Sequence, residues 1–189
     1  MKNAITEMKS LDIYVNSLSV KQYEEIKGSL VSDNRARVNM LSFDIHLQNY
    51  NFMCEESSLQ QDISSLQNLA KKFTWKSNIE QILSKNSFEA LILTDIDRNI
   101  LWVNDGFSKM TGYPKNYAIR KTPNFLQGNA TSDTVRSRIR KKLALGNPFK
   151  EVIINHKKDK TQYKCEIHIF PLKDNNEVTH FLALERQIA

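Results

Sequence analysis

All four prolines and four of the five glycines lie after residue 105, leaving Gly28 as the only such breaker in the first 105 residues. Glycine and proline are the strongest local punctuation in a chain. A long unpunctuated stretch therefore suits extended helices, and a densely punctuated one suits short strands and helices joined by tight turns. This contrast divides the chain into a mostly helical N-terminal region, residues 1–86, and a second domain, residues 87–189.

In the first region, Ser19 and Gln22 have capping-box spacing. Val20, Tyr23, Ile26 and Leu30 follow at helical intervals, and Gly28-Ser29 supplies a stop. A second helix is expected to begin near Ser57 or Ser58. Its apolar face is Leu59, Ile63, Leu66, Leu69, Ala70 and Phe73, opposite a polar face of Gln60, Gln61, Asp62, Ser64 and Gln67. A shorter helix is expected from Ser77 through Ile79, Ile82 and Leu83. Phe43, Ile45 and Leu47 alternate with polar residues, which matches a short strand over only three positions.

The second region changes period. Ala90–Asp95 reads as a buried strand and Asn99–Val103 as its hairpin partner across a polar turn. Asn104 can cap a short helix through Phe107 and Met110, stopped by Gly112 and Pro114. A longer helix spans Ser132 or Asp133 to Leu145, ended by Gly146 and Pro148. Three strands follow, at Phe149–Asn155, Thr161–Phe170 and Thr179–Arg186. In the middle one Tyr163, Cys165, Ile167 and Ile169 share a face. The order predicts an α+β fold, a five-stranded antiparallel sheet with helices gathered on one face and a ligand-sized space between them.

The net charge of +6 arises wholly in residues 87–189, since residues 1–86 carry ten basic and ten acidic residues. The basic cluster between Lys115 and Lys142 suits a solvated helix face, an anion or an acidic partner. Without interleaved aromatics, a recognition helix or a glycine-rich phosphate loop, it does not point to nucleic acid. No apolar run is long enough to span a bilayer, and the first residues lack a secretory core. Two cysteines without metal or redox spacing suit a reducing compartment, so a cytoplasmic, non-membrane protein is expected.

Several segments, in order, resemble a PAS domain over about residues 87–187: Leu93-Thr94-Asp95 with Ile100–Asn104, Phe107–Tyr113 as F-x-x-x-T-G-Y, and the turn Asn155–Lys160, where Lys160 replaces a common glycine. Within that family, Phe125-Leu126-Gln127-Gly128 is similar to the end of G-x-N-C-R-F-L-Q-G in the light-oxygen-voltage subgroup. The resemblance implies a flavin site in which the cysteine forms a covalent adduct with the excited ring. Pro123 occupies the cysteine position and has no thiol, so that adduct is excluded.

The same resemblance assigns further candidate residues. Thr122 and Asn124 stand where the subgroup has asparagine and arginine, which removes one phosphate cation. Gln127 and the phosphate-contacting Arg140 are kept. Of two ring-edge asparagines, Asn155 is kept and Cys165 replaces the other, while Glu185 replaces the glutamine that senses the ring nitrogen. An ionised Glu185 would repel a flavin carbonyl, and it donates a hydrogen bond only if burial keeps it neutral. Each lost charged contact removes roughly 1.5–3 kcal/mol. The expected cofactor is therefore none, with FMN as the alternative.

Asn155, Cys165 and Glu185 read either as an altered ligand site or as water-satisfied polar groups in a filled core. His46, His156, His168 and His180 lack metal-site spacing, the 134–145 helix has no haem-ligating histidine, and no nucleophile–base arrangement identifies an enzyme. The expected function is a non-enzymatic sensory or regulatory module in signal transduction, acting through a small ligand or a partner protein. The alternatives are a flavin-binding light or redox sensor without an adduct and a structural dimerisation module. The apolar face of residues 57–73 would cap the domain's own sheet or pair with its counterpart in a homodimer.

Overall fold

The computed structural model describes residues 20–27 and 41–188, with side chains at 21–25 and 56–188. The chain divides into two compact units, Met1–Phe52 and Met53–Ala189. In the first, α1 spans Val20–Lys27. The Ser19 cap and the Gly28-Ser29 stop lie outside the described residues. Helix α2 runs from Leu41 to Lys72, so the 43–48 segment is helical, not a strand, and the helix starts well before Ser57. The physical reason is visible in the sequence. Phe43, Leu47 and Tyr50 are also spaced three and four apart, and no glycine or proline interrupts the run.

In the second unit, α3 (Ile79–Ser84) begins at Asn78, whose side chain accepts from the Gln81 N–H at 2.9 Å. Strands β1 (Ala90–Asp95) and β2 (Ile100–Val103) lead to α4 (Asp105–Thr111), α5 (Lys115–Ala118), a 3-10 turn at Pro123–Leu126 and α6 (Asp133–Ala144). Strands β3 (Phe149–His156), β4 (Gln162–Asp174) and β5 (Glu177–Ile188) complete a sheet ordered β2-β1-β5-β4-β3, with every described pairing antiparallel. The expected α+β class and sheet are present.

The sheet is covered on both faces, which explains the unbroken apolar run of β1. Ala90 and Ile92 pack inward with Phe107, Met110, Ala118, Leu126 and Ile153. Leu91 and Leu93 pack on the opposite face against Ile63, Leu66, Trp75, Ile79 and Leu83. The apolar stripe of α2 from Leu59 to Ala70, with Phe73 just beyond the helix, thus caps the sheet of its own chain.

Asp62, which the helical pattern places among polar residues, is instead buried. Its Oδ2 accepts from Asn104 Nδ2 at 2.9 Å, and desolvation raises its pKa. Asn104 Oδ1 in turn accepts from the N–H groups of Leu91 and Phe107, at 2.9 and 3.0 Å. One side chain therefore caps α4 and ties it to both α2 and β1, with its own polar atoms satisfied.

Two backbone positions explain sequence choices. Gly106 lies so close to the Glu89 carbonyl oxygen that a Cβ there would collide with it. Lys160, at the position where the family favours glycine, has φ of 69°, the left-handed region in which glycine is least strained.

Candidate functional site

The inner sheet face and α6 enclose a cavity of about 110 Å³. Ile92, Ile153, Ile167 and Phe181 from the sheet and Ile139 and Leu143 from α6 form its apolar walls. The strand period places these sheet residues together, because inward positions recur every second residue. The 3-10 turn adds Pro123 and Asn124, followed by Gln127. The β1–β2 turn adds Arg98, which has a φ of 70°.

Of the seven candidate residues, Asn124, Gln127, Arg140, Asn155 and Glu185 line this cavity. Thr122 and Cys165 do not. Thr122 precedes the 3-10 turn, at its N-cap. Cys165 is fully buried, and its thiol is directed to Glu185 Oε2 at 3.6 Å. Burial pushes the thiol pKa up, with the nearby Glu185 carboxyl adding to the effect, so Cys165 is a protonated donor and not a thiolate.

The sheet end of the cavity is polar. Glu185 is 5% exposed, and desolvation pushes its pKa up to about 7 despite the hydrogen bond from Cys165. Burial therefore keeps much of this carboxyl neutral near physiological pH, able to donate an O–H. Asn155, 4% exposed, has a buried Oδ1 without a hydrogen-bond partner. Tyr163 is its cross-strand neighbour, and desolvation raises the pKa of the Tyr163 hydroxyl while a side-chain hydrogen bond with Asn155 works against that rise. Buried polar atoms are ordinarily satisfied by protein or ordered water, and Asn155, Tyr163 and Glu185 together make this end of the cavity polar.

The lining also carries cations. Arg136 and Arg140 lie four residues apart on α6 and both line the cavity, with Arg98. Arg136 Nη2 donates to the Thr131 carbonyl and pairs with Asp133, each at 3.1 Å, while its Nε is buried without a partner. Among the described residues, the side chains of Arg98 and Arg140 make no hydrogen bond or ion pair. Two other members of the α6 basic run are committed elsewhere: Arg138 donates to both oxygens of Glu151 at 2.7 and 2.8 Å, and Lys142 pairs with the same carboxylate at 2.7 Å. These cations hold the Glu151 pKa well below the usual range.

The four-residue spacing of Arg136 and Arg140 already gives them one helix face. Arg98 had no such signal, because its position depends on the conformation of a turn.

A PAS domain family model matches residues 89–188. A blue-light photoreceptor from Listeria monocytogenes is 31% identical over 101 residues, which is 52% of this chain and 40% of that protein. A nitrogen fixation regulatory protein from Klebsiella oxytoca is 30% identical over 101 residues, or 53% of this chain and 20% of that one. The chain thus spans well under half the length of these relatives. Among solved structures, the LOV domain of a blue-light activated histidine kinase from Erythrobacter litoralis superposes with a TM-score of 0.51 at 25% identity. That match covers 55% of this chain and 98% of the other.

Proposed function

This chain belongs to the PAS domain family, with a light-oxygen-voltage likeness, and we propose from that premise that it is a non-enzymatic sensory module without cysteine-adduct photochemistry. A small molecule in the cavity, or a partner protein, biases the packing between the sheet and the helices of residues 53–86. The signal leaves through those helices, through a second copy of the chain or through a separate signalling protein. Such a bias requires the ligand to prefer one of two packings.

The observation that carries this reading is Pro123 in the cavity wall while Cys165 is buried outside the lining. Neither residue presents a thiol to the bound molecule. Glu185 has the pKa of a general acid or base, but the cavity lining gives it no activated nucleophile, since arginine does not deprotonate and the Cys165 thiol is held protonated.

The fit to FMN is partial. Arg140 and Asn155 line the cavity, as the resemblance requires of a phosphate contact and a ring-edge contact. Asn124, Cys165 and Glu185 replace the phosphate cation and two ring-edge groups that the resemblance gives a flavin site, and no step of the response is assigned to a flavin.

Absorbance of the purified full chain, in the dark and after blue light, together with native mass spectrometry, tests the reading. The expected result is no flavin band and no light-induced change. A structured blue-light band from bound flavin would overturn it in favour of a second reading, FMN held without an adduct, which the positions of Asn155 and Arg140 favour.

A further inference from the structure

The outer face of the sheet carries a second polar site, built from residues that do not line the cavity. Helix α2 ends at Lys72, and the chain meets the sheet through Phe73, Thr74 and Trp75. The Trp75 N–H donates to the Ala70 carbonyl at 3.0 Å, which fixes this residue to the last turn of α2. Its indole Nε1 donates to His180 Nδ1 at 3.1 Å and to Thr179 Oγ1 at 3.2 Å. Trp75 is 7% exposed and His180 8%. The Phe73 ring lies 4.3 Å from the imidazole, and the indole meets it edge-on at 4.9 Å.

This clasp works in one protonation state. An indole N–H donates and cannot accept, so Nδ1 must keep its lone pair and the neutral ring carries its proton on Nε2. A second proton would set an Nδ1–H against the indole N–H, with Thr179 Oγ1 the one acceptor left in the clasp for both. It would also place a charge on a ring enclosed by Phe73 and Trp75. Of the charged groups around the ring, Asp95 on β1 favours that charge, but its carboxylate already accepts from the Asn99 N–H and side-chain amide at 2.7 and 2.9 Å. The neighbour on β4 is the apolar Leu172, and the segment after α2 brings Lys72 over the Phe73 ring and Lys76 to Asn175. Burial outweighs Asp95 and lowers the His180 pKa.

We propose that the chain has a second input, the proton: acidification charges His180, breaks its bond to Trp75 and frees the end of α2 from the sheet while the inner core stays closed. Thr74, with a φ of 56°, sits inside the clasp, so release also relieves a strained β-branched residue. This input goes beyond the small-ligand reading and does not rest on it. The buried carboxyls cannot produce it. Asp62 and Glu185 have raised pKa values, so they loosen the fold as pH rises and oppose an acid-driven release.

An exposed imidazole gains its proton near pH 6.5. With His180 charging only in the released state, the opening constant should grow by up to about tenfold between pH 7.5 and 5.5. Hydrogen exchange of the full chain, followed by NMR and divided by the intrinsic exchange rate at each pH, reads that constant. The amides of residues 66–72 and the Trp75 indole should lose up to about tenfold in protection, while amides in β3 and β4 lose none. His180→Gln keeps an acceptor for the indole and does not titrate, so its protection should be equal at both pH values. His180→Phe removes the acceptor and should release the segment at both. His168→Gln, which removes the other histidine with a pKa lowered by burial, should respond like the parent.

Equal protection of residues 66–72 at the two pH values in the parent would overturn the proposal, as would an unchanged response in His180→Gln. A loss shared with β3 and β4 would assign the response to unfolding of the whole domain and overturn it as well.

Discussion

Replacing Glu185 with glutamine should make the protein more stable at pH 8 and almost unchanged at pH 4. Glu185 is 5% exposed, and desolvation is the largest cause of its pKa rise from 4.5 to about 7. Between those two values the folded chain retains a proton that the unfolded chain has already released. Stability contributed by the neutral carboxyl is therefore complete below about pH 4.5 and is lost as pH rises through about 7. A rise of that size corresponds to ~3 kcal/mol, at about 1.4 kcal/mol for each tenfold change in proton affinity.

Glutamine keeps a carbonyl oxygen for the Cys165 thiol and does not titrate, so the variant should lack this slope. Urea unfolding can be followed by fluorescence, because Trp75 and Trp102 both belong to the outer-face core. The difference in unfolding free energy between variant and parent should grow from near zero at pH 4 to ~3 kcal/mol at pH 8, with unchanged dependence on urea concentration. A difference that is flat across this range would show that Glu185 is ionised without penalty, and the argument for a neutral donor in the cavity would fail.

Two further predictions concern the outer face. Trp75 Nε1 donates to His180 Nδ1 at 3.1 Å and to Thr179 Oγ1 at 3.2 Å, and burial lowers the His180 pKa. A protonated Nδ1 cannot accept, so stability should fall as pH drops below about 6.5, where the unfolded histidine gains its proton first; an NMR titration midpoint for His180 at or above 6.5 would refute this. Leu66, fully buried between α2 and the sheet, should cost about 2–5 kcal/mol on replacement by alanine; a loss below about 0.5 kcal/mol in urea unfolding would show that α2 does not seat there in solution.

Features decided by local spacing were legible in the sequence. The Ala90–Leu93 run read as a buried strand, Asn104 as a helix cap, and Tyr163, Cys165, Ile167 and Ile169 as one inward face. Features decided by a distant partner were not. Asp62 fell on the polar side of a helical pattern, and the Asn104 amide, 42 residues away, with the Lys115 charge, offsets the cost of its burial. The early start of α2 was hidden because alternation over three residues fits either period. Glu185 was recognisable as a departure from the subgroup, but its neutrality depends on burial that no spacing records. Arg98 reaches the cavity through a left-handed turn residue, a conformation that arginine does not advertise.

The two faces of β5 bring these observations to one strand. Phe181, Ala183 and Glu185 face the cavity, while Leu182 and Leu184 pack with the α2 and α3 side chains. His180, beside them in sequence, holds Trp75. On the proposed reading, a ligand that contacts Glu185 would act on the same strand that seats these helices, with no intervening element. Thr74, immediately before Trp75, has a φ of 56°, strained for a β-branched residue. That strain is borne at the point where α2 ends and the Trp75 contact begins, so a change in β5 that weakened the contact would also release it. On the proposed ligand-sensing reading, the seating of these helices is the element that a molecule in the cavity would tip.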